Sequence, residues 1–214
     1  MLNFIFIFEI IGTAAYAVMG ALTAIKRNMD MFGTVVLGVT TATGGGIIRD
    51  VILGNTPPRT FIHPVYAAVA MIFSLIVIIP GIRKRFINNN KIYEKIIFIL
   101  DTIGLGLFTI MGVGIAYETS ADYSMFLVVF VGVITGVGGG ILRDLFSGSI
   151  PYIFVKHIYA CASIAGAIVC ALMWNSTGKI YAMITGMIVV ILIRCLSAHY
   201  RWNLTVSHGK DEVM

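Results

Sequence analysis

Two short strings of the chain carry most of its chemical potential. Thr43-Gly44-Gly45-Gly46-Ile47-Ile48-Arg49-Asp50 recurs as Val137-Gly138-Gly139-Gly140-Ile141-Leu142-Arg143-Asp144, shifted by 94 residues. Both lie inside apolar stretches. A glycine in a helix interior costs roughly 1 kcal/mol relative to alanine. Three in a row are therefore expected to loosen or break the helix and free backbone carbonyls. In hydrocarbon, such backbone survives only when buried in protein or lining water. The chemistry implied is coordination of a permeating species by carbonyls and half-helix ends. The competing explanation is close helix packing, which the GxxxG spacings Gly132/Gly136 and Gly136/Gly140 also suit.

Ionisable residues accompany the glycines. Glu9, Asp50, Asp101 and Asp144 lie in or near apolar stretches together with Arg49 and Arg143. Charges at that depth pair or face water. From their matching depths, the expected pairs are Glu9–Arg49 and Asp101–Arg143, leaving Asp50 and Asp144 toward an aqueous path. Adjacent residues on a helix point about 100° apart, so neither arginine need neutralise its neighbour. His63 and His157 read as interfacial groups rather than proton relays. Trp174 and Trp202 read as interface anchors. Cys161, Cys170 and Cys195 fall within apolar runs at no metal-ligand spacing. No nucleophile-and-base set or phosphate loop is present, and neither an enzymatic role nor a cofactor is expected.

The elements that must position these residues are membrane helices. Of the 214 residues 58% are apolar and 12% charged, about half the charged fraction usual in soluble domains. Seven apolar stretches, near 3–25, 33–54, 61–80, 96–117, 124–146, 153–174 and 178–198, are each long enough to cross a bilayer, which takes about 20 helical residues. Ala15-Tyr16-Ala17 resembles a signal-peptide cleavage site, but no basic region precedes it and the first stretch has a counterpart in mid-chain. The net charge of +5 comes from residues in short connections, where it signals topology rather than nucleic-acid binding. With the N-terminus outside, the cytoplasmic side holds Lys26, Arg27, Arg83, Lys84, Arg85, Lys91, Lys95, Lys156, Arg194, Arg201 and Lys210. The external side holds only Arg59 and Lys179. An external N-terminus and a cytoplasmic C-terminus follow, in a multi-pass protein of the cell's inner membrane, with a polar tail from residue 199 onward.

The repeat extends beyond the glycines. Glu9-Ile10-Ile11-Gly12 matches Asp101-Thr102-Ile103-Gly104, and Tyr66-Ala67 matches Tyr159-Ala160. The expected units are a three-helix repeat over 1–90, a second over 91–175, and a seventh helix with its tail over 176–214. Three spans per unit force opposite orientations, the inverted plan of many transport proteins. The expected fold is thus an all-α integral membrane protein, 3+3+1, with kinked second and fifth helices.

Two GGGxxRD segments on the second and fifth of seven helices resemble the prokaryotic trimeric intracellular cation (TRIC) channels, whose bacterial members are often labelled glycine-transporter-domain proteins. The resemblance covers about residues 3–198. It implies a homotrimer with one pore in each protomer, lined by the two glycine-kinked helices and passing monovalent cations, chiefly K⁺. The family's kinks correspond to Gly44, Gly45, Gly46, Gly138, Gly139 and Gly140, and its Arg-Asp pairs to Arg49, Asp50, Arg143 and Asp144. Animal members carry a Lys-Glu-Val lipid motif on the second helix. This chain has Gly-Ile-Ile-Arg-Asp there, so phosphoinositide binding is not implied. A carrier for glycine or another small zwitterion is the alternative reading.

Overall fold

A computed structural model describes residues 2–87, 89–120, 122–155 and 158–200. Lys156, His157, Arg201, Trp202, Lys210 and the tail beyond residue 200 lie outside the described residues. Among those described the chain is all helical: α1 (Leu2–Lys26), α2 (Met31–Ile52), α3 (Arg59–Ile62), α4 (Val65–Ile78), α5 (Pro80–Ile87), α6 (Asn90–Thr119), α7 (Met125–Phe146), α8 (Tyr152–Val155), α9 (Ile158–Met173) and α10 (Lys179–His199). Five of them, α1, α2, α6, α7 and α10, are long and apolar enough to cross a membrane.

The stretch expected at 61–80 is divided, and the one expected at 153–174 holds α8 and α9 on either side of residues 156–157, which lie outside the described residues. In the first, one-turn α3 is followed by α4, with 14 residues, about 21 Å at 1.5 Å per residue. Pro64 sits at the N-cap of α4, and its ring and missing N–H stop α3 from continuing into it. In the second, α8 is followed by α9, with 16 residues.

The repeat governs local structure as well as text. The Asp30 carboxylate caps α2 by accepting from Gly33 N at 2.7 Å, and the Ser124 hydroxyl caps α7 by accepting from Leu127 N at 3.3 Å. Both helices end the same way. Asn55 N donates to Asp50 O and Ser149 N to Asp144 O, each at 2.8 Å. Gly54 and Gly148, at φ +74° and +67°, supply the left-handed residue that this ending requires.

The two halves cross through glycine. A Cβ on Gly45 would strike the Thr135 carbonyl oxygen, and one on Gly139 would strike that of Thr41. Since 41 and 45 meet 139 and 135 in that order, α2 and α7 run antiparallel. The same exchange joins α1 to α6, where a Cβ on Gly12 would lie 3.2 Å from the Phe108 ring and one on Gly104 would collide with the Tyr16 ring. A pseudo-two-fold axis therefore passes between the halves.

The interruptions expected at the triglycines are absent: α2 and α7 remain continuous α-helix through 44–46 and 138–140. Backbone groups in hydrocarbon have no water to turn to, which favours keeping the ladder. The propensity cost is offset by backbone-to-backbone approach, with a Cβ position on Gly138 only 3.1 Å from Gly45 Cα. Finally, α10 packs on α9 and α6. Cβ positions on Gly166 and Gly186 each fall 2.8 Å from the other's carbonyl oxygen.

Candidate functional site

Each half carries an acid on its first helix, an Arg-Asp pair near the end of its second, and a tyrosine on its third. In the first half, Arg49 Nε donates to Asp50 Oδ1 at 2.8 Å, while Asp50 Oδ2 accepts from the backbone N–H of Arg59 at 2.8 Å. Glu9 accepts from the Tyr66 hydroxyl. In the second half, Arg143 Nε donates to Asp144 Oδ1 at 2.8 Å, and Asp144 Oδ2 accepts from Tyr152 N at 2.8 Å. Tyr159 donates to Asp101 Oδ1 at 3.2 Å.

Arg49, Asp50, Arg143, Asp144 and Asp101 are all under 8% exposed. Asp50 and Asp144 are thus each saturated by a guanidinium from the preceding residue and by an amide of the segment after the next turn. Charges taken out of water need that degree of satisfaction. The pairing expected from depth is found on one side only. Arg143 Nη1 lies 3.6 Å from Asp101 Oδ1, whereas Glu9 makes no ion pair with Arg49 within 4.0 Å. Asp50, fully buried against its neighbour, does not face an open aqueous path. Flexible arginine stems swing a guanidinium back onto the adjacent carboxylate, an option that the 100° separation of Cα–Cβ directions does not exclude.

Sequence reasoning missed three contributors. Tyr66 and Tyr159 figured only as marks of the repeat. Arg194 was counted among cytoplasmic charges, yet it is 4% exposed and its Nη2 donates to Asp101 Oδ2 at 3.0 Å. Its place five residues before the end of α10, inside an apolar stretch, was the available signal.

Cavities adjoin both sets of charges. One of about 40 Å³ lies among Glu9, Thr13, Thr43, Gly46, Arg49, Arg59 and Tyr66. At the other end are cavities of about 460 Å³, bordered by Asp101, Arg143, Tyr152 and Arg194, and 500 Å³, bordered by Thr23, Lys26, Arg27, Arg143, Asp144 and Ser149. The two larger ones share Tyr93, Ile97, Arg143 and Tyr152. Along α1, Thr13 on one side and Thr23 on the other are about 15 Å apart at 1.5 Å per residue. That layer is packed. Tyr16 and Met19 are at most 1% exposed, the Tyr16 and Phe108 rings meet at 5.1 Å, and the Tyr16 hydroxyl donates to Gly136 O at 2.7 Å. Arg143 Nη1 reaches the layer from below, 2.8 Å from Met19 Sδ. Of the glycines, Gly44, Gly45, Gly138 and Gly139 close the crossing. Gly46 borders the smaller cavity, and Gly140 stands near the Tyr159 hydroxyl.

A family model described as "Glycine transporter" matches residues 6–80 and 98–175, the two repeats. The UPF0126 inner membrane protein YadS of Escherichia coli is 40% identical over 198 residues, covering 92% of this chain and 91% of that protein. A UPF0126 membrane protein of Deinococcus radiodurans is 34% identical over 88% of this chain and 85% of its own. Among solved structures, one described as the basis for conductance through TRIC cation channels is 35% identical, with a TM-score of 0.84 over 95% of this chain and 97% of that one. The TRIC channel orthologue of Rhodobacter sphaeroides, 28% identical, gives the same TM-score over 94% of this chain and 100% of its own. With both repeats matched, the charge quartets duplicated and the whole fold shared, the chain belongs to the TRIC channel family, the one whose model carries the glycine-transporter description.

Proposed function

We propose that the protein is a passive channel for monovalent cations, chiefly K⁺, in the cell's inner membrane. The observation that carries this reading is the likeness over nearly the whole chain to a TRIC cation channel of 35% identity. In this proposal α4 and α9 also traverse the bilayer, with α3 and α8 completing them, so that seven spans form the 3+3+1 plan over 1–90, 91–175 and 176–214. The N-terminus is external and the C-terminus cytoplasmic. Three copies assemble, each with its own path.

The path joins the cavity beside Glu9 to the cavities beside Arg143, past the Tyr16–Phe108 layer. Along it the carboxylates of Glu9, Asp101 and Asp144 are the groups that attract a cation, each standing beside an arginine. Opening requires the layer to part, and Gly44, Gly45, Gly46, Gly138, Gly139 and Gly140 give α2 and α7 the freedom to bend there. Carbonyls and carboxylates then replace part of the ion's hydration.

The family description favours a second reading, a glycine carrier. Purified protein in a planar bilayer separates them. Discrete K⁺ currents are the expected result; silence, together with saturable uptake of labelled glycine by liposomes, overturns it.

A further inference from the structure

The guanidinium of Arg194 occupies a built site. Its Nη2 is 3.0 Å from Asp101 Oδ2. Its central carbon stands 4.8 Å from the ring of Tyr159, 4.9 Å from that of Phe98 and 5.6 Å from that of Tyr152. Among the described residues the buried Nε has no hydrogen-bond partner. One carboxylate and three aromatic faces form a recognition set for a weakly hydrated planar or organic cation. An arginine placed only to neutralise Asp101 needs no such cage, because Arg143 is already 3.6 Å from the same carboxylate. The cage also borders the cavity of about 460 Å³ that shares lining with the one beside Asp144.

The first half supplies an internal comparison. Glu9, Phe6 and Tyr66 stand at the positions of Asp101, Phe98 and Tyr159 in the repeat, and the Phe6 and Tyr66 rings lie 6.2 Å apart. Among the described residues no helix equivalent to α10 covers them, and Glu9 makes no ion pair within 4.0 Å. Three of the four cage positions therefore recur in the first half, where Arg59 stands in place of Tyr152, and the arginine that fills the second-half cage arrives on the helix outside the repeat.

We propose that Asp101, Phe98, Tyr152 and Tyr159 form a cation site for guanidinium-type or small organic ammonium ions, and that Arg194 of α10 fills it as a tethered plug. This rests on the channel reading. With Arg194 seated, Asp101 is withheld from cations in the inner cavities. When α10 withdraws, the cage is released to a free cation and the carboxylate to the path.

The test uses the full chain with Arg194→Ala, and Arg194→Gln as a second variant that preserves side-chain bulk. Guanidinium chloride at low millimolar concentration is the probe, with equal NaCl and urea as controls. In planar bilayers the variants are expected to show a severalfold higher open fraction for K⁺, returned toward wild type by guanidinium and by neither control. In detergent, guanidinium is expected to raise the melting temperature of the variants and leave that of wild type unchanged. Variants that fold but neither gain stability nor lose current with guanidinium overturn the cage. Stabilisation without any change in current overturns the plug and leaves an ordinary structural ion pair. If the wild type carries no K⁺ current at all, the channel reading falls, while the thermal shift still judges the cage by itself.

Discussion

At the scale of single residues, the buried Arg-Asp pairs set the terms. Asp50 is fully buried and takes one bond from Arg49 and one from the Arg59 amide. Asp50→Asn removes the countercharge of Arg49 and leaves a guanidinium in a low-dielectric setting. Removing one partner of such a pair costs about 3–5 kcal/mol. Equilibrium unfolding in detergent is expected to register that loss, with an Arg49→Leu/Asp50→Leu double variant lying closer to wild type than Asp50→Asn. Equal stability of Asp50→Asn and wild type removes the pair from the list of structural determinants. Much of this scale was readable in advance, since the duplicated Arg-Asp text announced buried charges. Their partners were not. A side chain of three or four rotatable bonds chooses among carboxylates within several ångströms, and helix depth alone does not decide which.

The next scale is the helix pair. The apolar stretches that became α1, α2, α6, α7 and α10 were legible because length and hydropathy suffice for them. The divided third stretch was less so: Pro64 marks the break, but a single proline also fits a kinked continuous span. The triglycines show how one signal supports two structures. A propensity scale counts what glycine loses within its own helix and is blind to what a neighbouring backbone gains by coming close. Gly139→Ala places a methyl against the Thr41 carbonyl and 3.1 Å from the Tyr16 ring. It is expected to cost about 1–3 kcal/mol through overpacking, with Gly45→Ala its counterpart against Thr135. Gly46→Ala, whose methyl would lie 3.6 Å from the Arg49 guanidinium in ordinary contact, is expected to leave stability within about 0.5 kcal/mol of wild type. Thermal or denaturant unfolding of the three variants side by side decides it; equal effects at positions 45, 46 and 139 contradict a crossing sealed by backbone contact.

For the whole molecule, the charge distribution makes the strongest statement. The proposed orientation puts Asp122 outside and Lys91 inside. After Cys161 and Cys195, both exposed, are replaced, Asp122→Cys in intact cells is expected to react with a membrane-impermeant maleimide. Lys91→Cys is expected to react only after permeabilisation. The reverse pattern inverts the topology and exchanges the two mouths of the proposed path. Helix α10 is the part whose purpose the sequence did not disclose. Repeat analysis sets α10 aside as unmatched, and only the folded chain brings Arg194 onto Asp101.

The antiparallel exchange of glycine contacts between α2 and α7, and between α1 and α6, has a consequence for how such a protein can change. A surface that is its own complement would let two separate copies of one half assemble head to tail, provided that each copy inserted in both directions. Joining the copies in one chain removes that demand for dual insertion. Each half then faces one compartment permanently and is free to diverge: Tyr16 donates a hydrogen bond that Phe108 cannot, and only one of the two acids receives an arginine from a third party.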